Sequence, residues 1–297
     1  MDTVDVKTGT PRTSQGMGII SRLRRLPRNM RIGGVILVVY LVVALTADYW
    51  APYSYSQVAT GKPFEGPSLQ HYFGTDQLGR DVFSRVVEGT KIVLYLALTS
   101  TLLATIVGGA LGLISGFVGG WFDQGAMRVV DIIISIPFLI LGLLLISAAG
   151  PNLAGSYQLL IFVIAFVYTP RIARMTRSVA IDLVTRDYVT VARARGESVW
   201  SIVWNELLPN ATGVILVEFG VRAGYAPIFV GALCFLGLGV RPPTPEWGLM
   251  ISENRPAIVT APLAVFAPAM ALAGLVIGLN LFTDGMARVL GRSVKNG

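Results

Sequence analysis

With 297 residues, 53% of them hydrophobic and only 14% charged, the chain is too apolar for an ordinary soluble domain of this length. A net charge of +7 would suit nucleic acid, but the basic residues cluster at the ends of apolar runs and no nucleic-acid recognition motif occurs. The basic excess is a topology signal, and the partner it implies is a lipid bilayer rather than nucleic acid. The single cysteine, Cys234, excludes an intrachain disulfide and reads as a small packed apolar residue.

Residues 1–31 are expected to form a cytoplasmic tail, disordered over Met1–Gln15. Arg22, Arg24, Arg25, Arg28 and Arg31 lead into the charge-free run Ile32–Ala47, which predicts a first membrane helix over 32–50. It reads as an uncleaved helix. Ala44-Leu45-Thr46-Ala47 is a poor cleavage site, and Tyr49-Trp50 suits an interfacial anchor.

Residues 51–90 are polar and too long for a simple turn, which predicts an ordered extracytoplasmic loop with a short amphipathic helix. Within FGTDQLGRDVFSR, Phe73 to Arg85, Gly74 and Gly79 permit tight turns, and Asp76, Arg80 and Asp81 can lock the segment by local ion pairs and caps. His71 lies near two aspartates, but the spacing matches no usual metal site.

A five-helix core is expected over 91–284. Its first run, Ile92–Phe122, carries Gly108, Gly112, Gly116 and Gly120 on one face, where another backbone can approach closely. Gly119-Gly120 and Asp123 should form the turn that follows. The charge-free run Ile132–Pro170 is too long for one crossing, and Gly150-Pro151-Asn152 with Gly155 divides it into two helices. Pro137 should bend the first of these.

The polar segment Asp187–Asn210 interrupts the apolar pattern. Helix formers run from Tyr188 to Arg195 and stop at Gly196, where glycine takes a left-handed cap without steric cost. A second short helix should run from Val199 to Leu207, ended by Pro209, with Val199, Ile202, Val203 and Leu207 on one face and Trp200 and Trp204 beside it. The span Val214–Leu238 contains Glu218 and Arg222, spaced for pairing on one helix face. They are either a structural pair or groups lining a polar pathway.

After that span, FLGLGVRPPTPEWGLM, Phe235 to Met250, must leave regular structure at its prolines, and Trp247 suits a membrane interface. The run Ile258–Thr283 supplies the last helix, and 285–297 a cytoplasmic tail with Arg288, Arg292 and Lys295. Arg171, Arg174, Arg177, Arg186, Arg193 and Arg195 flank the central loop, and six spans put this group and the two terminal ones on one side, which the positive-inside rule makes cytoplasmic, with both termini.

Three stretches resemble one family. Gly196 followed by Leu208-Pro209, with Ala192-Arg193-Ala194 before and Asn210 after, is similar to the EAA loop of ABC-importer membrane subunits in the peptide/nickel branch. Thr190 and Val191 stand where the namesake Glu-Ala would be, and Glu206 where this branch often has histidine. FGTD-x-LGRD-x-x-SR and FLGLG-x-x-PPTPEWG resemble signatures of the C-type permeases of dipeptide and oligopeptide importers, and Ser135-Ile136-Pro137 recurs there too. The ending Asp284-Gly285-Met286-Ala287-Arg288 keeps part of that branch's tail.

The resemblance implies an all-α integral membrane protein of six transmembrane helices with the type I ABC-permease fold, sited in a bacterial or archaeal plasma membrane. It implies a second, B-type permease, two ATPase subunits that bind ATP and Mg, and an extracytoplasmic solute-binding protein, with no cofactor in this chain. The residues it implies at the ATPase contact are Ala192, Arg193, Ala194, Gly196, Glu197, Ser198, Glu206, Leu208 and Pro209. Peptides are the default solute, although similar proteins carry opines, nickel chelates, glutathione and oligosaccharides. No Walker A pattern, paired-carboxylate site, Cys/His cluster or triad occurs, which argues for a non-enzymatic subunit. The competing reading is a self-sufficient secondary transporter or channel, but the inverted repeats expected of one are not visible.

Overall fold

The computed structural model describes residues 26–150 and 152–295, with side chains through Leu290. Met1–Gln15, Arg22, Arg24, Arg25, Pro151 and the side chains of Arg292 and Lys295 lie outside the described residues. Among the described residues the elements are helices, and the β pairing is a lone Thr75–Asp81 bridge.

Helix α1, Arg28–Trp50, is long and apolar enough to cross a bilayer. Helix α2, Val82–Val118, starts earlier than its charge-free run because Asp81 caps it, accepting from the Ser84 N–H. The short amphipathic helix expected in the preceding loop is therefore the first turn of α2. Gly119 and Gly120, at φ +65° and +60°, turn the chain into α3, Gly120–Ser135. Asp123 belongs to α3, not to the turn, and is clamped by Arg177 at 2.5 Å.

Pro137 does more than bend a helix. Proline lacks the N–H and pushes its predecessor out of helical conformation, so Ile136 is extended and α3 ends. Helix α4, Phe138–Ala148, sets off at 95° to α3, and only the two together make a crossing. Among the described residues five helices are thus long and apolar enough to span, or six spans where the bent α3–α4 pair counts as one.

Helix α5, Tyr157–Val184, continues through Pro170 and carries Arg171, Arg174 and Arg177 along its second half. It packs along α2 at the predicted glycines. A Cβ at Gly108, Gly112 or Gly116 would fall 2.7 Å from the Thr169 carbonyl, 2.5 Å from the Ala173 carbonyl and 2.6 Å from the Ala180 Cβ. The register advances in the same direction on both, so the two helices are parallel. Gly120 meets nothing and takes no part.

Helix α6, Asp187–Ala194, precedes α7, which runs from Val199 to Phe235. An irregular stretch leads to α8, Trp247–Asn254, and then to α9, Pro262–Lys295. Trp247 is not interfacial but buried, with its indole N–H donating to the Val86 carbonyl at 3.0 Å. The proline-rich stretch folds α8 back under α2.

The small residues of α9 fix its neighbours. Gly285 abuts Met30, Gly278 abuts Ile36 and Gly274 abuts Tyr40, an antiparallel ladder that brings the start of α1 to the end of α9. Gly220 against Thr283 and Gly224 against Asn280 align α7 antiparallel to α9 in the same way. Arg28, Arg31, Arg288 and the α6–α7 segment therefore share one end of the bundle.

Candidate functional site

The α6–α7 segment is built on a glycine cap. Gly196 sits at φ +74°; its N–H donates to the Arg193 carbonyl at 2.9 Å and the Glu197 N–H to the Ala192 carbonyl at 3.2 Å. That pair of bonds satisfies the last carbonyls of α6. Ser198 then caps α7, accepting from the Ser201 N–H at 3.2 Å. The Ser201 hydroxyl donates to Glu197 and the Arg195 guanidinium adds a second contact, which together hold the Glu197 carboxyl below the usual carboxylate range. Glu206 lies 3.9 Å from Arg195.

Pro209 does not end the second helix. The backbone widens into a π-turn over Val203–Leu207, where the Leu208 N–H reaches the Val203 carbonyl, and continues as α-helix over Leu208–Phe235. Widening relieves the clash between a helical proline and the carbonyl four residues back. The expected apolar face also needs one correction. Ile202, Val203 and Leu207 are buried against Leu113, Ala180 and Ala211, but Val199 is 41% exposed.

Ala192 is buried beneath the segment with Val189 and anchors it. Arg193 lays its guanidinium 4.6 Å over the Phe117 ring at the end of α2. Ala194, Gly196, Ser198 and Pro209 face outward, and Leu208 is half-buried. Trp200 and Trp204 are 61% and 58% exposed and line an apolar groove with Ile106, Ala110 and Ile114 of α2.

At the opposite end, Gly74 and Gly79 take positive φ, as the turns require. Asp76 accepts from the Leu78 and Arg80 N–H groups at 2.8 and 3.0 Å, from Arg80 Nε at 2.6 Å and from Arg85 Nη1 at 3.2 Å. Arg80 and Arg85 each reach Glu253 Oε2 on α8, at 2.8 and 3.1 Å. The local Asp76–Arg80 pair and the caps are as the sequence suggests, and the network extends beyond them to tie the loop to a helix far along the chain. The sequence does not single out Glu253, which stands among the polar Ser252, Asn254 and Arg255. Asp81 caps α2 and also holds His71 Nδ1 at 2.9 Å, with Tyr53 stacked on the imidazole. Among the described residues no cluster of three His, Cys, Asp or Glu could hold a metal.

Within the bundle, Arg222 Nη2 lies 3.0 Å from Glu218 Oε2, and both side chains are mostly buried. The predicted pair exists. Arg171, on the neighbouring helix α5, lines the same cavity as Arg222 and was not singled out from the sequence.

The class these features define is a multi-pass helical membrane protein with polar, structured segments at both ends of its bundle. The chain belongs to the family of binding-protein-dependent transport system inner membrane components, whose model matches residues 108–296. It is 34% identical over 265 residues to the dipeptide transport system permease protein DppC of Alkalihalophilus pseudofirmus, covering 89% of this chain and 86% of that one. It is 33% identical over 264 residues to the glutathione transport system permease protein GsiD of Pectobacterium atrosepticum, with the same coverage. The GsiD of Escherichia coli O1:K1 is 35% identical over 276 residues, covering 92% of this chain and 89% of its own. The chain is thus a membrane-spanning permease subunit of an ABC importer, and the reading as a self-sufficient transporter or channel is set aside.

Proposed function

We propose that this permease carries a small peptide, or a peptide-like solute such as glutathione, inward by alternating access. It would work with a second permease, two ATPase subunits that bind ATP and Mg, and an external solute-binding protein. The relatives named for dipeptide and glutathione transport support that solute class. The positive-inside rule puts the arginine-rich end, with both termini and the α6–α7 segment, in the cytoplasm.

The observation that carries the reading is the glycine-capped helix pair with two exposed tryptophans at that end. Ala192 and Leu208 root it in the bundle; Arg193, Ala194, Gly196, Glu197, Ser198, Glu206 and Pro209 form or shape the surface an ATPase groove would hold. Closure of the ATPases would pull α6 and the start of α7, and the rigid continuation of α7 would pass that movement to the span carrying Glu218 and Arg222. Gly74, Asp76, Gly79, Arg80 and Asp81 would set the opposite rim, where the loaded receptor docks.

Gly196→Val tests the coupling. A Cβ there meets nothing within 4 Å, so the substitution acts through backbone strain alone, at about 1 kcal/mol or more. The complex should assemble while its ATP hydrolysis stops responding to loaded receptor. Normal transport by this variant would overturn the role.

A further inference from the structure

Arg171 and Arg222 each sit at mid-length of a 28-residue helical stretch, on α5 and α7. At 1.5 Å per residue, each is roughly 20 Å from the helix end opposite the arginine-rich face. That depth lies inside a hydrocarbon core of about 30 Å.

Both line a cavity of about 260 Å³ with Tyr168, Tyr225, Phe138 and Phe229. Phe138 is the first residue of α4, immediately after the break at Ile136-Pro137, so the break lies next to this cavity. The charges do not balance. Glu218 pairs with Arg222, whereas Arg171 has no carboxylate within 4 Å among the described residues and reaches only the Val167 carbonyl of its own helix. Arg222 and Arg174 act on Arg171 as like charges, and Arg174 is itself paired with Asp131. Tyr168, a largely buried side chain, lines this cavity, and its hydroxyl has no hydrogen-bond partner among the described residues.

An uncompensated cation at membrane depth is expensive unless an anion completes it. We propose that Arg171 and Arg222, with the Tyr168 hydroxyl, form an anion subsite that receives a carboxylate of the transported solute. This rests on the importer reading above. A planar guanidinium suits a carboxylate, and the aromatic walls suit the apolar part of a peptide-like solute. A lipid headgroup is a poorer occupant because headgroups lie at the interface, well away from mid-helix.

The test reads the local charge directly. The assembled complex, with cysteine-free partners, carries Ile228→Cys on the cavity rim in a Cys234→Ala background and sits in phosphatidylcholine nanodiscs. The anionic sulfonatoethyl methanethiosulfonate should label it on the order of tenfold faster than the cationic trimethylammonioethyl reagent. Arg171→Gln should abolish that preference and Arg171→Lys keep it. Millimolar dialanine should slow labelling, and its C-terminal amide should not. Equal rates for the two reagents, no labelling in the assembled complex, or dialanine and its amide acting alike would each overturn the proposal. So would slowing that appears only when phosphatidylglycerol is added, which would assign the site to lipid. Receptor-stimulated ATP hydrolysis is measured on the same nanodiscs. Its absence with the charge preference intact would count against the importer reading and not against the anion site.

Discussion

The two ends of this molecule solve opposite problems with the same kinds of residue. At one end Asp76, Arg80, Arg85 and Glu253 form a buried, multiply bonded network that joins a loop to a distant helix. At the other, Arg195, Glu197 and Glu206 make exposed contacts between near neighbours, and the shape rests on one glycine and one serine cap. Buried ionic networks fail steeply when one member is lost, because the others are left charged in a poor solvent. Exposed caps deform at little cost. A permease needs a stiff rim at one end and a segment that can be pulled at the other.

The strongest way to break this contrast is Asp76→Ala. It leaves Arg80 and Arg85 sharing Glu253 alone, with an uncompensated buried charge. A loss of about 3–5 kcal/mol is expected, read as a large fall in the thermal unfolding midpoint of the purified complex. A fall no larger than that of an exposed-pair variant such as Arg195→Ala would erase the distinction between the ends.

Next comes the helix contact that holds the two ends in register. Gly112→Ala places a methyl group 2.5 Å from the Ala173 carbonyl and should cost about 1–3 kcal/mol. Gly109→Ala, whose methyl meets nothing nearer than Ile215 at 4.0 Å, should be neutral or mildly stabilising. Equal melting of the two variants would refute close α2–α5 packing.

At the coupling end a graded series sharpens the comparison. Gly196→Asn should retain most receptor-stimulated ATP hydrolysis, since asparagine tolerates left-handed backbone. Gly196→Ala should lose part, and Gly196→Val most, over a range of about 1 kcal/mol of strain. An order that follows side-chain volume alone, with asparagine worse than alanine, would mean that crowding and not backbone conformation matters there.

The smallest effect is one of pH. Glu197 is held below the usual carboxylate range, so its contribution is present above the unfolded value, about 4.3, and is lost as pH falls through the lower folded value. Amide exchange around Ser201 should quicken in that acid window. Glu197→Gln should remove the pH step, and an unchanged step would assign it to another group.

What the sequence by itself determined is what short-range backbone chemistry can write. Apolar runs marked the spans, one of them despite Glu218 and Arg222; Gly196 marked the left-handed cap between two short helices, and the glycines of α2 marked a close approach without naming the partner. Asp81 as a cap and Glu218 with Arg222 as a pair were equally legible, because both depend on neighbours within a helical turn.

Tertiary structure decided the rest. Whether Pro137 bends or breaks a span, and whether Pro209 stops a helix or is carried through a π-turn, depends on whether the surrounding bundle can pair the freed backbone groups. Trp247 reads as interfacial until α8 folds beneath α2 and gives its N–H the Val86 carbonyl. Glu253 joins Arg80 and Arg85, and Arg171 comes beside Arg222, across long stretches of chain. No local signal encodes such meetings, because helix packing brings together residues whose sequence separation carries no periodicity.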